Sequence, residues 1–242
     1  MSTAPAPQPR VTLYGPAITP YTIKVVRALH WKRLAYALEE PQHADDYRRW
    51  SPKNGLLPVI DVGGTRVQDS AAILDLLDAR FPDPPLLSGD PKLAREQRRL
   101  EDWVSETFFY HLFRWVRART GGAAESRGGE GLGPLMRLGL IGPNGQIRPE
   151  VFDTSDGGPG PEFAGAIDEL AKLLGRRPFF FSDQLSRADL AAFASLSGLR
   201  NDLYPGGATL LRSFPTLWQF FERVDRATAA PEAGDARRPR PR

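Results

Sequence analysis

The sequence contains no cysteine among its 242 residues. That excludes disulfide staples, zinc–thiolate sites and any redox step that uses a thiol of the chain's own. Histidine is nearly as scarce. His30, His43 and His111 are the only three, and they show no metal-ligand spacing, so no metal site is expected. No apolar run approaches the ~18 residues needed to cross a bilayer, and Met1–Arg10 lacks the apolar core of a signal peptide. A cytoplasmic chain without a membrane partner is the expectation. A one-signed body is missing too. The net charge of +3 comes from the ends, where Arg10, Arg237, Arg238, Arg240 and Arg242 lie in Pro-rich tails. Residues 11–228 hold 27 basic and 27 acidic side chains. That balance, with no helix-turn-helix segment, argues against a nucleic-acid partner.

Glycine and proline, by contrast, are plentiful at 23 each, and they punctuate the chain. Pro82–Pro85 and Ser88–Pro91 mark a break that places a linker at 87–91. Residues 119–161 hold 12 glycines and five prolines, and form an irregular insertion in the C-terminal half. The tails, 1–10 and 229–242, read as disordered.

Before the linker, strand and helix signals alternate. Val11–Tyr14 reads as a strand, and Thr19-Pro20 opens a helix, with threonine as N-cap and proline in the first helical position. Leu34–Leu38 reads as a second strand, followed by a weak helix at Ala44–Trp50. Pro58–Asp61 and Thr65–Gln68 flank the hairpin signal Gly63-Gly64. Asp69-Ser70 caps a further helix carrying Ile73, Leu74 and Leu77. The order is βαβ then ββα over residues 11–86. After the linker every periodic segment is helical. A long helix starts at Asp90-Pro91 with Leu93, Gln97, Leu100, Val104, Phe108, His111 and Trp115 on one stripe. Others lie at about 162–175, 187–200 and 214–227. The change of period at the linker separates an α/β unit from an all-helical one at 92–228.

This order resembles the glutathione transferase family, and four segments carry the resemblance. Leu13–Val25 is similar to the family's first strand, active-site turn and first helix. Ser51–Ile60 resembles its Asn-Pro-x-Gly-x-Val-Pro-x-Leu segment. Gln68–Ile73 resembles its Glu-Ser-x-x-Ile turn, and Phe181–Asp189 its Gly-Asp-x-(Ser/Thr)-x-Ala-Asp segment. The fold the resemblance implies is α/β followed by all-α: a thioredoxin-like βαβ–ββα domain that binds glutathione, then a glutathione-transferase-type helix bundle. It also implies a homodimer and a detoxification role, with glutathione as co-substrate rather than as a bound cofactor.

Residue roles come from the same resemblance. Thr19 stands where the family carries its catalytic Ser or Cys, so its hydroxyl either donates to the bound thiolate or simply caps the helix; a hydroxyl can do both. Tyr14 is the rival hydroxyl. Leu57-Pro58 corresponds to the segment whose cis-proline offers the preceding main chain to glutathione. Ser70 and Asp69 open a helix whose free N–H groups would take a carboxylate, with Asp69 against the ammonium. Lys53 is the nearby cation for the glycine carboxylate, because Leu56 occupies a position that is often basic in relatives. Phe108, Tyr110 and Trp115 are candidates for the second-substrate pocket, and 119–161 reads either as a cover over it or as a disordered insertion. Ser186–Asp189 is a capping box with a structural role, Leu185 and Leu190 forming its hydrophobic staple. The function implied is activation of the glutathione thiol for attack on a small apolar electrophile or a peroxide. The alternative is a family-like binding or interaction protein with little or no catalysis, to which Thr19, Leu56 and Asp69 point as departures from the usual site.

Overall fold

A computed structural model of the chain describes residues 10–109, 111–112, 161–201, 203 and 206–230. Four strands form one sheet: β1 (Val11–Tyr14), β2 (Ala37–Glu39), β3 (Val59–Val62) and β4 (Thr65–Gln68), in the order β2-β1-β3-β4. β1 runs parallel to β2 and antiparallel to β3, which pairs antiparallel with β4. Helices α1 (Pro20–Trp31), α2 (Ala44–Trp50) and α3 (Ser70–Arg80) complete this half.

Side-chain alternation assigns the faces of the sheet. Val11 and Leu13 point into a core shared with Val25 and Leu29 of α1 and Ile73, Leu74 and Leu77 of α3. Tyr14 points the other way, its ring centroid 5.0 Å from that of Trp50 on α2. The second strand begins later than its apolar run suggests, at Ala37, because Leu34 is drawn into the core instead.

Among the described residues, the second half holds α4 (Pro91–Trp103), a π-helical turn (Val104–Phe108), α5 (Pro161–Leu174), α6 (Arg187–Arg200), α7 (Gly207–Arg212) and α8 (Pro215–Ala227). Asp90 caps α4, its carboxylate accepting from Lys92 N–H at 2.9 Å, with proline in the first turn. The helix expected from residue 90 is present as far as the described residues reach, to Leu112, but not as one uninterrupted α-helix. Its register slips at 104–108 before Phe109, His111 and Leu112 are helical again. Nearly every residue of α6 is buried, which fits its alanine-rich sequence and its position against α1 and α4. The capping box predicted at its start is formed: Asp189 accepts from Ser186 N–H at 2.8 Å and Ser186 Oγ at 2.7 Å, and its other oxygen accepts from Phe180 N–H at 2.7 Å. Burial pushes this carboxyl up to about 7, against the hydrogen bonds that favour its charged form.

Buried charges join the halves. Glu101 of α4, 1% exposed, receives Lys24 of α1 at 2.9 Å and Arg187 of α6. The Arg187 guanidinium also reaches Asp75 at 2.5 Å and the Ala71 carbonyl at 3.0 Å, both on α3. Four helices thus meet on one carboxylate–guanidinium pair. The connection between the halves is fixed as well: Lys32 Nζ donates to Asp78, Phe81 O and Pro84 O, and Arg187 N–H donates to Leu86 O.

Candidate functional site

The turn between β1 and α1 carries the first group. Thr19 is the N-cap of α1, half-buried, with extended backbone. Its Oγ1 accepts from Thr22 N–H at 3.4 Å, and its own proton has two acceptors in reach: Pro16 O at 3.2 Å and Thr22 Oγ1 at 2.9 Å. The cap and a free edge of the hydroxyl coexist, since the oxygen has a second lone pair and its proton can turn. No acidic residue lies in the first turn of α1 to offset its positive end.

Gly15 shows how close the next group lies. A Cβ built on it would stand 2.6 Å from Thr22 Oγ1 and 3.4 Å from Pro58 Cβ. The α1 turn and the start of β3 are therefore in contact, and only glycine fits between them. The Leu57–Pro58 peptide bond is cis. None of the turn, loop and cap hydrogen bonds among the described residues uses the Leu57 main chain. The preceding loop is tied to β4: Gln68 Nε2 donates to Asn54 Oδ1 and to Leu56 O at 3.1 Å. Leu56 is 42% exposed. Lys53 is exposed and forms no ion pair among the described residues.

Gln68 leads directly into the third group. Asp69 has φ +79°, the left-handed region that side chains other than glycine rarely adopt. That conformation turns its carboxylate onto the helix it caps, where one oxygen accepts from Ala71 N–H at 2.9 Å and Ala72 N–H at 3.1 Å. The other oxygen has no hydrogen bond among the described residues. Ser70 is buried behind it at the first position of α3. Backbone strain of this kind persists where surrounding structure enforces it, often at binding sites.

Tyr21, which none of the family-like motifs singles out, lies between these groups and α4. Its Oη donates to Ser105 O at 2.9 Å, and its ring lies 5.5 Å from that of Phe109. Burial, and then the charges of Asp69 and Glu106, push its hydroxyl up to about 12, so it is a permanent donor. The only sequence signal for it is an aromatic residue in the first turn of α1.

Tyr14 lies elsewhere. Besides Trp50 it meets the Arg66 guanidinium, 5.3 Å from its ring centroid, and it lines a groove of about 400 Å³ with Arg10, Thr12, Arg49 and Asp61. This groove opens on the α2 face of the sheet, opposite α1. Phe108 is fully buried, its ring 5.5 Å from Phe163 and 6.0 Å from Trp103. Tyr110 and Trp115 lie outside the described residues, as does 119–160 of the Gly-rich stretch. Among the described residues no cluster of three or more His, Asp or Glu could hold a metal ion, and no helix is long and apolar enough to cross a membrane.

Comparisons with known proteins agree on one family. The profile described as glutathione S-transferase, N-terminal domain, matches residues 13–85, and the corresponding C-terminal domain matches 161–228. An isoprene-epoxide–glutathione S-transferase of Rhodococcus sp. (strain AD45) is 23% identical over 246 residues, 88% of this chain and 97% of that protein. Failed axon connections of Drosophila melanogaster is 29% identical over 209 residues, 76% of this chain; the chain spans 47%, about half, of the fly protein's length. A crystal structure of a glutathione S-transferase from Methylobacterium radiotolerans, in complex with glutathione sulfonate, is 25% identical with a TM-score of 0.60. The match covers 89% of this chain and 90% of that one.

Proposed function

The chain belongs to the glutathione S-transferase family, and we propose that it activates the glutathione thiol for attack on a small apolar electrophile or a peroxide. The reading is supported above all by the meeting of three elements at one place: the Thr19 hydroxyl on the positive end of α1, the Leu57 main chain before cis-Pro58, and the start of α3 with Asp69 and Ser70.

Each element suits a part of glutathione. The open Leu57 main chain pairs with the cysteinyl unit as a strand edge would. The Ser70 N–H and hydroxyl at the start of α3 take the γ-glutamyl carboxylate, the Ala71 and Ala72 N–H groups being held by Asp69, and the uncommitted Asp69 oxygen takes the ammonium. Lys53 is the cation available to the glycine carboxylate. The sulfur then lies at the start of α1, where Thr19 donates to it. A free thiol ionises near pH ~8.5, so a donor and a helix N-terminus together raise the reactive fraction at neutral pH. Thr19 is preferred to Tyr14 because Tyr14 faces α2, away from α1.

The Rhodococcus relative is named for an isoprene epoxide, a small apolar electrophile, which supports that substrate class here. With an epoxide, the thiolate attacks a ring carbon, the ring oxygen takes the electron pair of the broken C–O bond, and a proton from water completes an alcohol product. Holding both reactants in one place supplies much of the acceleration. The protein acts in the cytoplasm as a homodimer in this account, and no catalytic group comes from a metal or bound cofactor.

The test is conjugation of glutathione to a small epoxide, together with titration of the bound thiol by its ultraviolet thiolate absorbance. Turnover together with a bound thiol that ionises below pH ~8 supports the reading. Binding without turnover would favour an interaction protein, and no binding would end it.

A further inference from the structure

The π turn that follows α4 meets a side chain of α1. In a continuous α-helix the Phe109 N–H would bond to Ser105 O, four residues back. Here it bonds instead to Val104 O, five back, and shares with Glu106 O. The Ser105 carbonyl it passes over is the one that accepts from Tyr21 Oη at 2.9 Å. A helix that accommodates one extra residue in a turn is rotated by about 100° beyond it. The hydroxyl of one tyrosine on α1 thus stands against the carbonyl that the Phe109 N–H gives up for the one before it.

The position gives the turn a consequence. Tyr21 lies two residues after Thr19 and in the first turn of the same helix. Its hydroxyl feels the charge of Asp69 at the start of α3 and of Glu106 on the turn itself. Glu106 and Thr107 are exposed on the turn, while Phe109 packs against the Tyr21 ring. An electrophile approaching a sulfur at Thr19 meets this surface. We propose that Tyr21 is a positioning residue: by holding the Ser105 carbonyl it keeps the π turn open, and so sets which face of the chain from Glu106 to Phe109 the second substrate meets. The effect on substrates rests on the transferase reading above; the effect of Tyr21 on the turn does not.

Tyr21→Phe removes the hydroxyl and keeps the ring. With the wild type as reference, kcat/KM is measured for a small epoxide and for a bulky chloronitroarene, together with KM for glutathione. The ratio of the two specificities is expected to change by about tenfold or more, with KM for glutathione within about twofold, because displacement of a substrate wall by an ångström has effects of that order. Crystal structures of both proteins provide a readout independent of turnover: in the variant, the Phe109 N–H is expected on Ser105 O. Deleting Glu106, which takes the extra residue out of the turn while leaving Tyr21 in place, should change the ratio in the same way even if Tyr21→Phe folds poorly. An unchanged ratio overturns the proposal, as does a π turn that persists without the hydroxyl. A wild-type chain that conjugates neither electrophile defeats the transferase reading alone, and the crystal comparison then decides for or against Tyr21.

Discussion

The Thr19 and Thr22 hydroxyls stand 2.9 Å apart, one turn from each other at the start of α1. Thr22 is fully buried, so it can only exchange hydrogen bonds with Thr19 and its immediate surroundings. When a thiolate arrives, the Thr19 proton can leave Thr22 for the stronger, charged acceptor, and the Thr22 proton can turn to Thr19 oxygen in its place. Thr19→Ala is expected to leave glutathione affinity nearly unchanged while raising the pKa of the bound thiol by about one to two pH units. A hydrogen bond to a charged group contributes roughly 1.5–3 kcal/mol, and one pH unit corresponds to about 1.4 kcal/mol. Thr19→Ser should retain the lower value. Thiolate absorbance against pH measures both, and an alanine variant that titrates like the wild type removes Thr19 from the mechanism.

The Lys24–Glu101–Arg187 cluster predicts an asymmetry in stability. Arg187→Ala leaves Glu101 buried with only Lys24 beside it and releases the Ala71 carbonyl, and a loss of about 3–5 kcal/mol is expected. Replacing Lys24, Glu101 and Arg187 together by apolar residues of similar size should cost much less, because no uncompensated charge stays behind. Urea unfolding of the two variants reads the difference. Equal losses would show that shape, rather than charge compensation, holds this junction.

Asp189 is a folding residue. Asp189→Ala strands the buried N–H groups of Phe180 and Ser186, each costing about 1–3 kcal/mol unpaired, so a total loss of about 2–5 kcal/mol is expected. The specific activity of the protein that remains folded should not change. Activity lost ahead of stability would contradict this assignment.

His30 ties the end of α1 to the end of α8: one ring nitrogen faces Thr228 O at 3.2 Å and the other Tyr36 Oη at 3.1 Å. Burial lowers its pKa below the ordinary 6.5, outweighing the Thr228 bond that acts the other way. The unfolded chain therefore takes up the proton first as pH falls. Stability should decline from about pH 6.5 down to the lowered folded-state value, then level off. Asp189, with its raised pKa, contributes in the opposite sense over its own range, so the clean reading is a difference. The melting temperature of the wild type relative to His30→Gln should fall between about pH 7.5 and about pH 5.5, and a constant difference would exclude His30 as the cause.

Much of the fold is legible wherever it depends on local chemistry. Thr19-Pro20, Asp90-Pro91 and Ser186–Asp189 announce helix starts through capping, and Gly63-Gly64 announces a hairpin; each is a short-range signal. The sequence is less informative where a carbonyl or charge waits for a distant partner. Nothing within residues 100–108 marks a π turn, and the Tyr21 hydroxyl that meets it is 84 residues away from Ser105 in sequence. Lys24 sits on the apolar stripe of α1 between Thr22 and Val25, a hint of a buried cation, but Glu101 and Arg187 become its partners only through packing. Helix α7, six residues long, is too short for a period to emerge. At the site, three of the family-like segments point to Thr19, Leu57, Asp69 and Ser70, whereas the ties around them, Gln68 to Asn54 and Gly15 between Thr22 and Pro58, appear only in three dimensions.

Whether Thr19, Leu57, Asp69 and Ser70 form a working glutathione site is read by a thermal melt titrated with reduced glutathione, with a thiol-free analogue alongside. A ligand at about 100 times its Kd stabilises by about 2.7 kcal/mol, a rise of several degrees for a chain of this size. A saturable rise is expected with glutathione and a similar one with the analogue, since the peptide contacts outnumber those to sulfur. No rise at millimolar glutathione would contradict it.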